Sequence, residues 1–430
     1  MLADIEQTIL DSCDDLFPQV IDFISEMVRQ YAILDNETPV LELVERHMND
    51  LRLPVQRIEI DSEHLAGHPL FAPVGWDYKG KYNLVSAINP GAAGRSLVLN
   101  GHLDVVPADP FDMWTRPPNE PWEHDGWLYG RGAGDMQAGV ATMIYATIAL
   151  REAGLVLKSP LTIQTVVEEE CTGNGALACL DRGFGGDFVL IPEPFGPQIL
   201  AGQSGVLWFT LTCQGTPAHV LDTAAGRNAI EILQSVVPFL QDLEETLNTQ
   251  YRVPPYDQLD HPFNLNLGTL SGGNWASSVP AYAEMELRIG FPPGMSPNRI
   301  MQLVRERVEL ACARVPELAA AAPNLRFSGF RSEGHLVDLQ HPGIRLLSEC
   351  HHSLTGHDPD HFLATCTTDL RAFHCHSGIS GTCYGPIAQR IHGVDECVNI
   401  ESVRHTLKTL ALFISRWGDI ATDSQARHGS

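Results

Sequence analysis

Residues 97–107 have the sequence LVLNGHLDVVP, a short apolar run that leads to His102 and then to Asp104. Turn-forming residues bound the apolar run, which predicts a buried strand. Open α/β sheets carry their functional sites at the carboxyl ends of parallel strands, where His102 would then lie. An acid two residues later could orient its imidazole for metal binding, although a single His-x-Asp is more often a structural or surface hydrogen bond.

The regions on both sides of this run alternate between helical and strand patterns. Residues 161–167 are apolar and β-branched and predict a second buried strand. Apolar residues at helical spacing predict helices over residues 15–52, 138–152, 175–182, 343–354 and 401–416. Alternating strands and helices are typical of an α/β fold with a mostly parallel sheet.

A different pattern begins near residue 204. Strands are predicted over residues 206–213, 263–270 and 282–289, and helices over residues 225–247 and 297–315. The order strand, helix, strand, strand, helix is typical of a small α+β sandwich. We therefore predict that residues 204–332 are inserted into an α/β domain of residues 1–203 and 333–430, whose polar tail from Thr422 frays.

The composition restricts the function classes. The chain has 430 residues, 44% of them hydrophobic, which is enough for a large buried core. Its 53 acidic and 28 basic residues give a net charge of −25 that would repel nucleic acid. The first residues lack a signal-peptide pattern and no apolar run is long enough to span a membrane, so we expect a cytoplasmic protein. The 10 cysteines have no C-x-x-C spacing, which favours reduced thiols.

Two further motifs bring carboxylates to predicted element ends. In YGRGAGDMQAGV, residues 129–140, three glycines allow a tight turn before Asp135, which could otherwise be only a helix N-cap. In VVEEECTGNGA, residues 166–176, three glutamates follow an apolar strand. They would repel one another unless a cation or solvent relieved the charge, and a solvated turn is the alternative interpretation.

The last two motifs are IPEP with Glu193 and IHGVDE with His392. Glu193 follows the apolar residues 188–191, so it too is expected at the end of a strand. All the candidate ligands are imidazole or carboxylate groups. Such donors favour a site for zinc, cobalt or manganese over a thiolate-type metal site.

In order and spacing, these motifs resemble those of the co-catalytic di-zinc metallopeptidases that include acetylornithine deacetylase, succinyl-diaminopimelate desuccinylase, aminoacylase and bacterial glutamate carboxypeptidase. The resemblance extends from GHLDVVP (101–107) to HGVDE (392–396), nearly the whole chain. It implies that residues 1–203 and 333–430 form a zinc-peptidase-like catalytic domain and that residues 204–332 form a dimerisation or lid domain.

The same resemblance implies two divalent metal ions, zinc in the first place and cobalt or manganese as alternatives. His102 and Glu193 would bind one ion, Glu170 and His392 the other, and Asp135 would bridge both.

Two further acids have implied roles in this site. Asp104 would orient the imidazole of His102, and Glu169 would be the general base. The glycines of CTGNGA favour Glu169 and Glu170, rather than Glu168, as the family's paired glutamates.

Residues of the second half resemble substrate-binding positions. His219 of GTPAH would act in the active site of a partner subunit in a homodimer, although the residues alone favour an exposed turn histidine. Arg288, Asn266 and Gly385 would bind substrate, with Arg288 pairing a carboxylate. Ser278 stands where many relatives have asparagine, so carboxylate recognition could differ.

The resemblance predicts a metal-dependent amidohydrolase that deacylates small N-acyl amino acids, as acetylornithine deacetylase does. The alternatives are a dipeptidase or carboxypeptidase and a deformylase of an N-formyl aminopyrimidine, because all need the same metal chemistry. A catalytically silent relative is disfavoured because every ligand position and the base are occupied.

Overall fold

The computed structural model describes residues 2–422, so only Thr422 of the predicted frayed tail lies within the described part. Its α-helices are α1 (Leu2–Val28), α2 (Thr38–Asp50), α3 (Ser62–Leu65), α4 (Gly139–Glu152), α5 (Asn174–Asp181), α6 (Ala229–Gln234), α7 (Val237–Gln250), α8 (Pro297–Arg314), α9 (Pro316–Ala320), α10 (Pro342–Thr355), α11 (Leu370–Ser377) and α12 (Ile400–Trp417).

The strands are β1 (Gln56–Glu59), β2 (Tyr82–Ile88), β3 (Leu97–His102), β4 (Trp122–His124), β5 (Trp127–Tyr129), β6 (Leu155–Leu157), β7 (Leu161–Val166), β8 (Phe188–Ile191), β9 (Ile199–Gln203), β10 (Gly205–Gln214), β11 (Leu265–Gly272), β12 (Tyr282–Phe291), β13 (Asn324–Arg326), β14 (Arg331–Ser332), β15 (His335–Leu336), β16 (His361–Ala364), β17 (Ser380–Cys383), β18 (Ala388–Gln389), β19 (Cys397–Asn399) and β20 (Ile420–Thr422).

A six-stranded sheet forms the centre of the molecule, in the order β1-β2-β7-β3-β8-β17. The pairs β7–β3, β3–β8 and β8–β17 are parallel, whereas β1–β2 and β2–β7 are antiparallel. Helices α1, α4 and α12 pack together on one face, and α5 and α11 lie on the other. Every residue of β3 and β8 is buried, as expected for strands covered on both faces. The predicted α/β fold is confirmed.

A second sheet, in the order β11-β12-β10-β13 with β14 also paired to β10, lies between residues 205 and 332. Its pairs are antiparallel, and α6, α7 and α8 pack on it around a core of its own that includes Phe209, Leu240 and Val304. The chain passes from β9, which ends at Gln203, directly into β10, beside the predicted boundary at residue 204.

Two predicted helices are interrupted. The pattern over residues 15–52 covers the second half of α1 and all of α2, and the turn between them has positive φ angles at Tyr31 and Asp35. Pro39 then lies in the first turn of α2, a position that proline favours. Likewise the region 225–247 splits into α6 and α7, and Pro238 occupies the first turn of α7.

No helix within residues 2–422 is long and apolar enough to cross a membrane. The 10 cysteines are all free thiols.

We predict that Gly139→Ala destabilises the fold. A Cβ at this first residue of α4 would overlap the carbonyl oxygen of Pro192, which precedes Glu193. Forcing an added methyl group into a packed site costs about 1–3 kcal/mol, which urea denaturation would measure. Gly67→Ala is the matched control, because no atom lies within 4 Å of its added Cβ. Equal stability of the two variants would contradict this account of the α4 contact.

Candidate metal centre

Three neighbouring strands of the central sheet end at one site. His102 is the last residue of β3, which lies between β7 and β8. Residues 168–170 follow β7, and Glu193 follows β8. Two loops complete the site, since Asp135 lies in the irregular turn Ala133–Ala138 before α4 and His392 lies between β18 and β19.

Asp135 lies between the two histidines. The Nε2 atom of His102 is 3.2 Å from Oδ1 of Asp135, and Nε2 of His392 is 3.4 Å from Oδ2 of the same carboxylate. His392 Nε2 is also 3.1 Å from Oε2 of Glu170. One carboxylate that offers an oxygen to each side has the arrangement expected of a bridging ligand.

The electrostatics of the site call for positive charge. Burial raises the pKa of Glu193 well above its usual range, and the charges of Asp135 and Glu170 raise it further. The charge of Glu170 raises the pKa of His392 to about 11, although burial acts in the opposite direction. A hydrogen bond to Asp135 and the charge of Asp135 also raise this pKa. The carboxylates around His392 thus favour positive charge at this position.

The residues present fit a divalent cation. Donor atoms of His102, Asp135 and Glu170 all lie within 4.8 Å of one another. Imidazole nitrogen and carboxylate oxygen are the donors that zinc, cobalt and manganese accept. A cation would also offset the cost of burying the Glu193 carboxylate and its repulsion by Asp135 and Glu170.

Asp104 contacts the site in two ways. Nδ1 of His102 is 2.9 Å from the backbone oxygen of Asp104 but 3.8 Å from its carboxylate. The Asp104 carboxylate instead accepts hydrogen bonds from the backbone N–H groups of Glu169 and Glu170, at 3.3 and 3.1 Å. Asp104 therefore holds the loop after β7 against the end of β3, in addition to its contact with His102.

Glu168 belongs to a different network from its two neighbours. Its buried carboxylate accepts hydrogen bonds from Trp76 Nε1 and the Tyr78 hydroxyl, both at 2.7 Å, and from the Thr172 hydroxyl at 2.9 Å. Lys81 Nζ lies 3.4 Å away. Glu169 and Glu170 remain beside the histidines, with Glu169 Oε2 3.9 Å from His102 Nε2. No local sequence signal links residues 76–81 to Glu168.

Glu396 and Arg131 are site residues that the sequence patterns did not predict. Oε1 of Glu396 accepts the backbone N–H groups of Gly134 and Asp135, both at 3.0 Å, and Oε2 pairs with Arg131 at 2.5 Å. Both residues lie inside motifs that were singled out for their neighbours. The only signal in the sequence was that each is a charged residue within a motif that contains a candidate ligand.

Two of the predicted substrate residues face each other on the second sheet. Arg288 of β12 pairs in register with Asn266 of β11. The Arg288 guanidinium donates to the backbone oxygens of Asn264 and Thr365, at 3.2 and 2.8 Å, so it also joins the second sheet to the segment after β16. A cleft of about 510 Å³ lies between this sheet and the loop that contains Trp76.

The other two predicted residues have different surroundings. Gly385 packs on the backbone of Glu193, where a Cβ would overlap the Glu193 carbonyl oxygen. His219 is exposed, and its Nδ1 accepts the N–H of Leu221 at 3.0 Å. Within residues 2–422, no hydrogen bond or ion pair joins His219 to the candidate ligands of its own chain.

The chain belongs to peptidase family M20/M25/M40, whose family model matches residues 98–416. It is 26% identical over 364 residues to the N-formyl-4-amino-5-aminomethyl-2-methylpyrimidine deformylase of Halalkalibacterium halodurans, across 80% of this chain and 84% of that one. It is 27% identical to the Bacillus subtilis enzyme of the same name over the same shares.

Solved structures share the fold. The dipeptidase Dug1p of Saccharomyces cerevisiae has a TM-score of 0.81 at 14% identity, across 96% of this chain and 98% of that one. Human carnosine dipeptidase 1 has a TM-score of 0.76 at 16% identity, across 95% and 98%. Family membership and the cluster of His102, Asp135 and Glu170 make the chain a metal-dependent amidohydrolase.

We predict three different phenotypes for the neighbouring glutamates. Glu170→Ala should lose bound metal, because Glu170 contacts His392, whereas Glu169→Gln should keep its metal and lose most turnover. Glu168→Gln should keep its metal but lose about 1.5–3 kcal/mol of unfolding free energy, the usual contribution of a hydrogen bond to a charged group. Elemental analysis, turnover of N-acyl substrates and urea denaturation measure the three effects. Exchanged phenotypes between Glu168 and Glu169 would overturn the assignment.

Proposed function

We propose that the protein removes a small acyl group, formyl in the first place, from the amine of a small heteroaromatic compound. The observation that carries this proposal is the mostly apolar cleft between the second sheet and the Trp76 loop, which is lined by Trp76, Trp208 and Phe327. The two deformylase relatives, similar over 80% of the chain, support the same substrate class.

Two divalent ions would be held by the predicted ligands, zinc being favoured by the donor types. His102 and Glu193 would hold one and Glu170 and His392 the other, with Asp135 shared between them. When bound, such ions polarise an amide carbonyl and lower the pKa of water. The contacts of Asp135 with both histidines support this division.

Glu169 is the proposed general base. Its carboxylate would take a proton from the attacking water and deliver it to the leaving nitrogen, because an amine is a poor leaving group unless protonated. Burial raises the pKa of Glu169 well above its usual range, and the nearby charge of Glu193 adds to this effect. A carboxyl group with a raised pKa can hold the proton between the two steps.

The cleft supplies the features that a planar amine needs. Aromatic side chains favour offset or edge contacts with a ring, each worth about 0.5–1.5 kcal/mol beyond buried area. Trp76 also donates to Glu168, so this wall of the cleft is continuous with the loop of Glu169. Asn266 and Glu286 line the same cleft and could bind amino groups or ring nitrogens.

An N-acyl amino acid, as in acetylornithine deacetylase, is the second candidate substrate. Arg288 favours it, because this half-buried guanidinium lines the cleft and, within residues 2–422, donates to only two backbone oxygens. Arginine has five N–H donors, so a substrate carboxylate could still be bound in two-pronged geometry. Dipeptides, on which the dipeptidase Dug1p acts, would use the same group.

We predict that substrate choice separates the two candidates. Trp208→Ala should lower kcat/KM about tenfold for an N-formyl aminomethylpyrimidine, since one aromatic contact is lost. Arg288→Ala should leave that substrate little affected but cost roughly one to two powers of ten on N-acyl amino acids. Release assays with zinc, cobalt and manganese supplied in turn would measure both. A wild-type preference for free carboxylates would select the second candidate.

We also propose that the chain works as a homodimer through residues 204–332, in the cytoplasm. The edge strand β11 is exposed from Asn266 to Gly272, including Leu267 and Leu270. Uncovered edges of this length are sites of strand pairing. Leu221 is 90% exposed and lies beside His219, and Trp275, 72% exposed, lies in the turn that ends at Ser278, the residue that pairs with His219. A second copy would cover apolar surface there. His219 could then enter the partner's site.

We predict that two inactive variants complement each other. Mixed His219→Ala and Glu169→Gln chains should recover up to about a quarter of wild-type activity. Half of the chains are then in heterodimers, and one of the two sites in each heterodimer has both groups. Mass spectrometry would establish subunit exchange, and each variant mixed with itself is the control. No recovery after proven exchange would contradict action of His219 across the interface.

A further inference from the structure

Glu396 is a buried carboxylate that is not among the candidate ligands. Its side chain is 0% exposed, and each oxygen has a defined donor. Oε1 accepts from the backbone N–H groups of Gly134 and Asp135, and Oε2 accepts from Arg131. Glu396 therefore fixes the backbone of the residue whose carboxylate lies between the two histidines.

Arg131 extends this network to the loop of His392. Its second terminal nitrogen donates to the backbone oxygen of Gly393 at 3.2 Å, the residue next to His392. The backbone N–H of Gly130 donates to the backbone oxygen of Glu396 at 3.0 Å. One ion pair thus ties together the two loops that supply Asp135 and His392.

The pair is expensive to bury, which argues for a positional role. The Arg131 side chain is 3% exposed, and its Nε has no hydrogen-bond partner in the described residues. A buried ion pair often contributes no net stability compared with apolar residues of similar size. Apart from the ion pair itself, its side-chain hydrogen bonds instead go to the backbone of the two ligand loops.

We propose that Arg131 and Glu396 are positioning residues that set the affinity of the ion held by Glu170 and His392. This inference rests on the proposed two-ion function. The ion held by His102 and Glu193 depends on only one tied segment, the Asp135 turn, because His102 and Glu193 follow strands of the central sheet. The other ion depends on both loops. Loss of the pair should therefore weaken the second ion more than the first.

The test is a metal titration of the intact protein, with zinc as the probe and bound zinc counted by elemental analysis and calorimetry. Substitution of a residue that supports a metal ligand usually lowers metal affinity by about 10–100-fold. Arg131→Met should weaken the second zinc by that factor and leave the first within a few-fold of wild type. Glu396→Gln keeps an acceptor oxygen for Gly134 and Asp135, so this variant should lose less affinity for the second zinc than Arg131→Met does.

The double variant Arg131→Met/Glu396→Gln separates positioning from simple charge balance. It removes both buried charges, so urea stability should recover relative to Arg131→Met. The second zinc should stay weak, because the tie to Gly393 is still missing. Arg57→Met is the matched control, since Arg57 pairs with Glu45 away from the site.

The outcomes distinguish the inference from the function that it rests on. Wild-type protein that binds only one zinc would overturn the proposed two-ion function. Wild-type protein with two zinc ions, together with variants of unchanged affinity, would overturn only the positioning role. Equal weakening of both ions, or full recovery of zinc affinity in the double variant, would also overturn it.

Discussion

Repulsion between carboxylates at one edge of the central sheet is the constraint on which this structure depends. Asp104, Asp135, Glu169, Glu170 and Glu193 lie at or beside the ends of three neighbouring strands. Burial raises the pKa of Asp104 to about 7 and that of Glu193 well above its usual range. Charge of this density needs cations, and the two histidines face it from opposite sides of Asp135.

Backbone donors keep the ligands in place around this charge. Asp104 accepts two backbone N–H groups from the loop after β7, and Glu396 accepts two from the turn that contains Asp135. The two acids have the same role in different loops, since the carboxylate of each holds the backbone of a nearby candidate ligand. Ligand geometry must be held within about 0.5 Å for metal chemistry, so such contacts matter as much as the ligands do.

Sequence patterns predicted the fold well where burial is periodic and local. The strands β3 and β7 and the helix α4 are almost wholly buried, so their apolar runs are visible without any partner. The errors are at helix ends. Apolar spacing continues across the gap between α1 and α2 and across that between α6 and α7, and only backbone geometry and proline interrupt it. Hydrophobic periodicity reports which face is buried and not where a helix stops.

The sequence by itself indicated most of the segments that the fold brings together, because His102, residues 168–170 and Glu193 follow apolar strands and Asp135 lies in a glycine-rich turn. Only the tertiary structure decided how neighbouring acids are used. Three consecutive glutamates look alike in sequence, yet Glu168 turns to Trp76 and Tyr78 while Glu170 turns to His392. Glu396 reaches Asp135 across 261 positions. Such roles depend on which distant side chains and backbone groups the fold brings within hydrogen-bond distance, and no local pattern encodes that proximity.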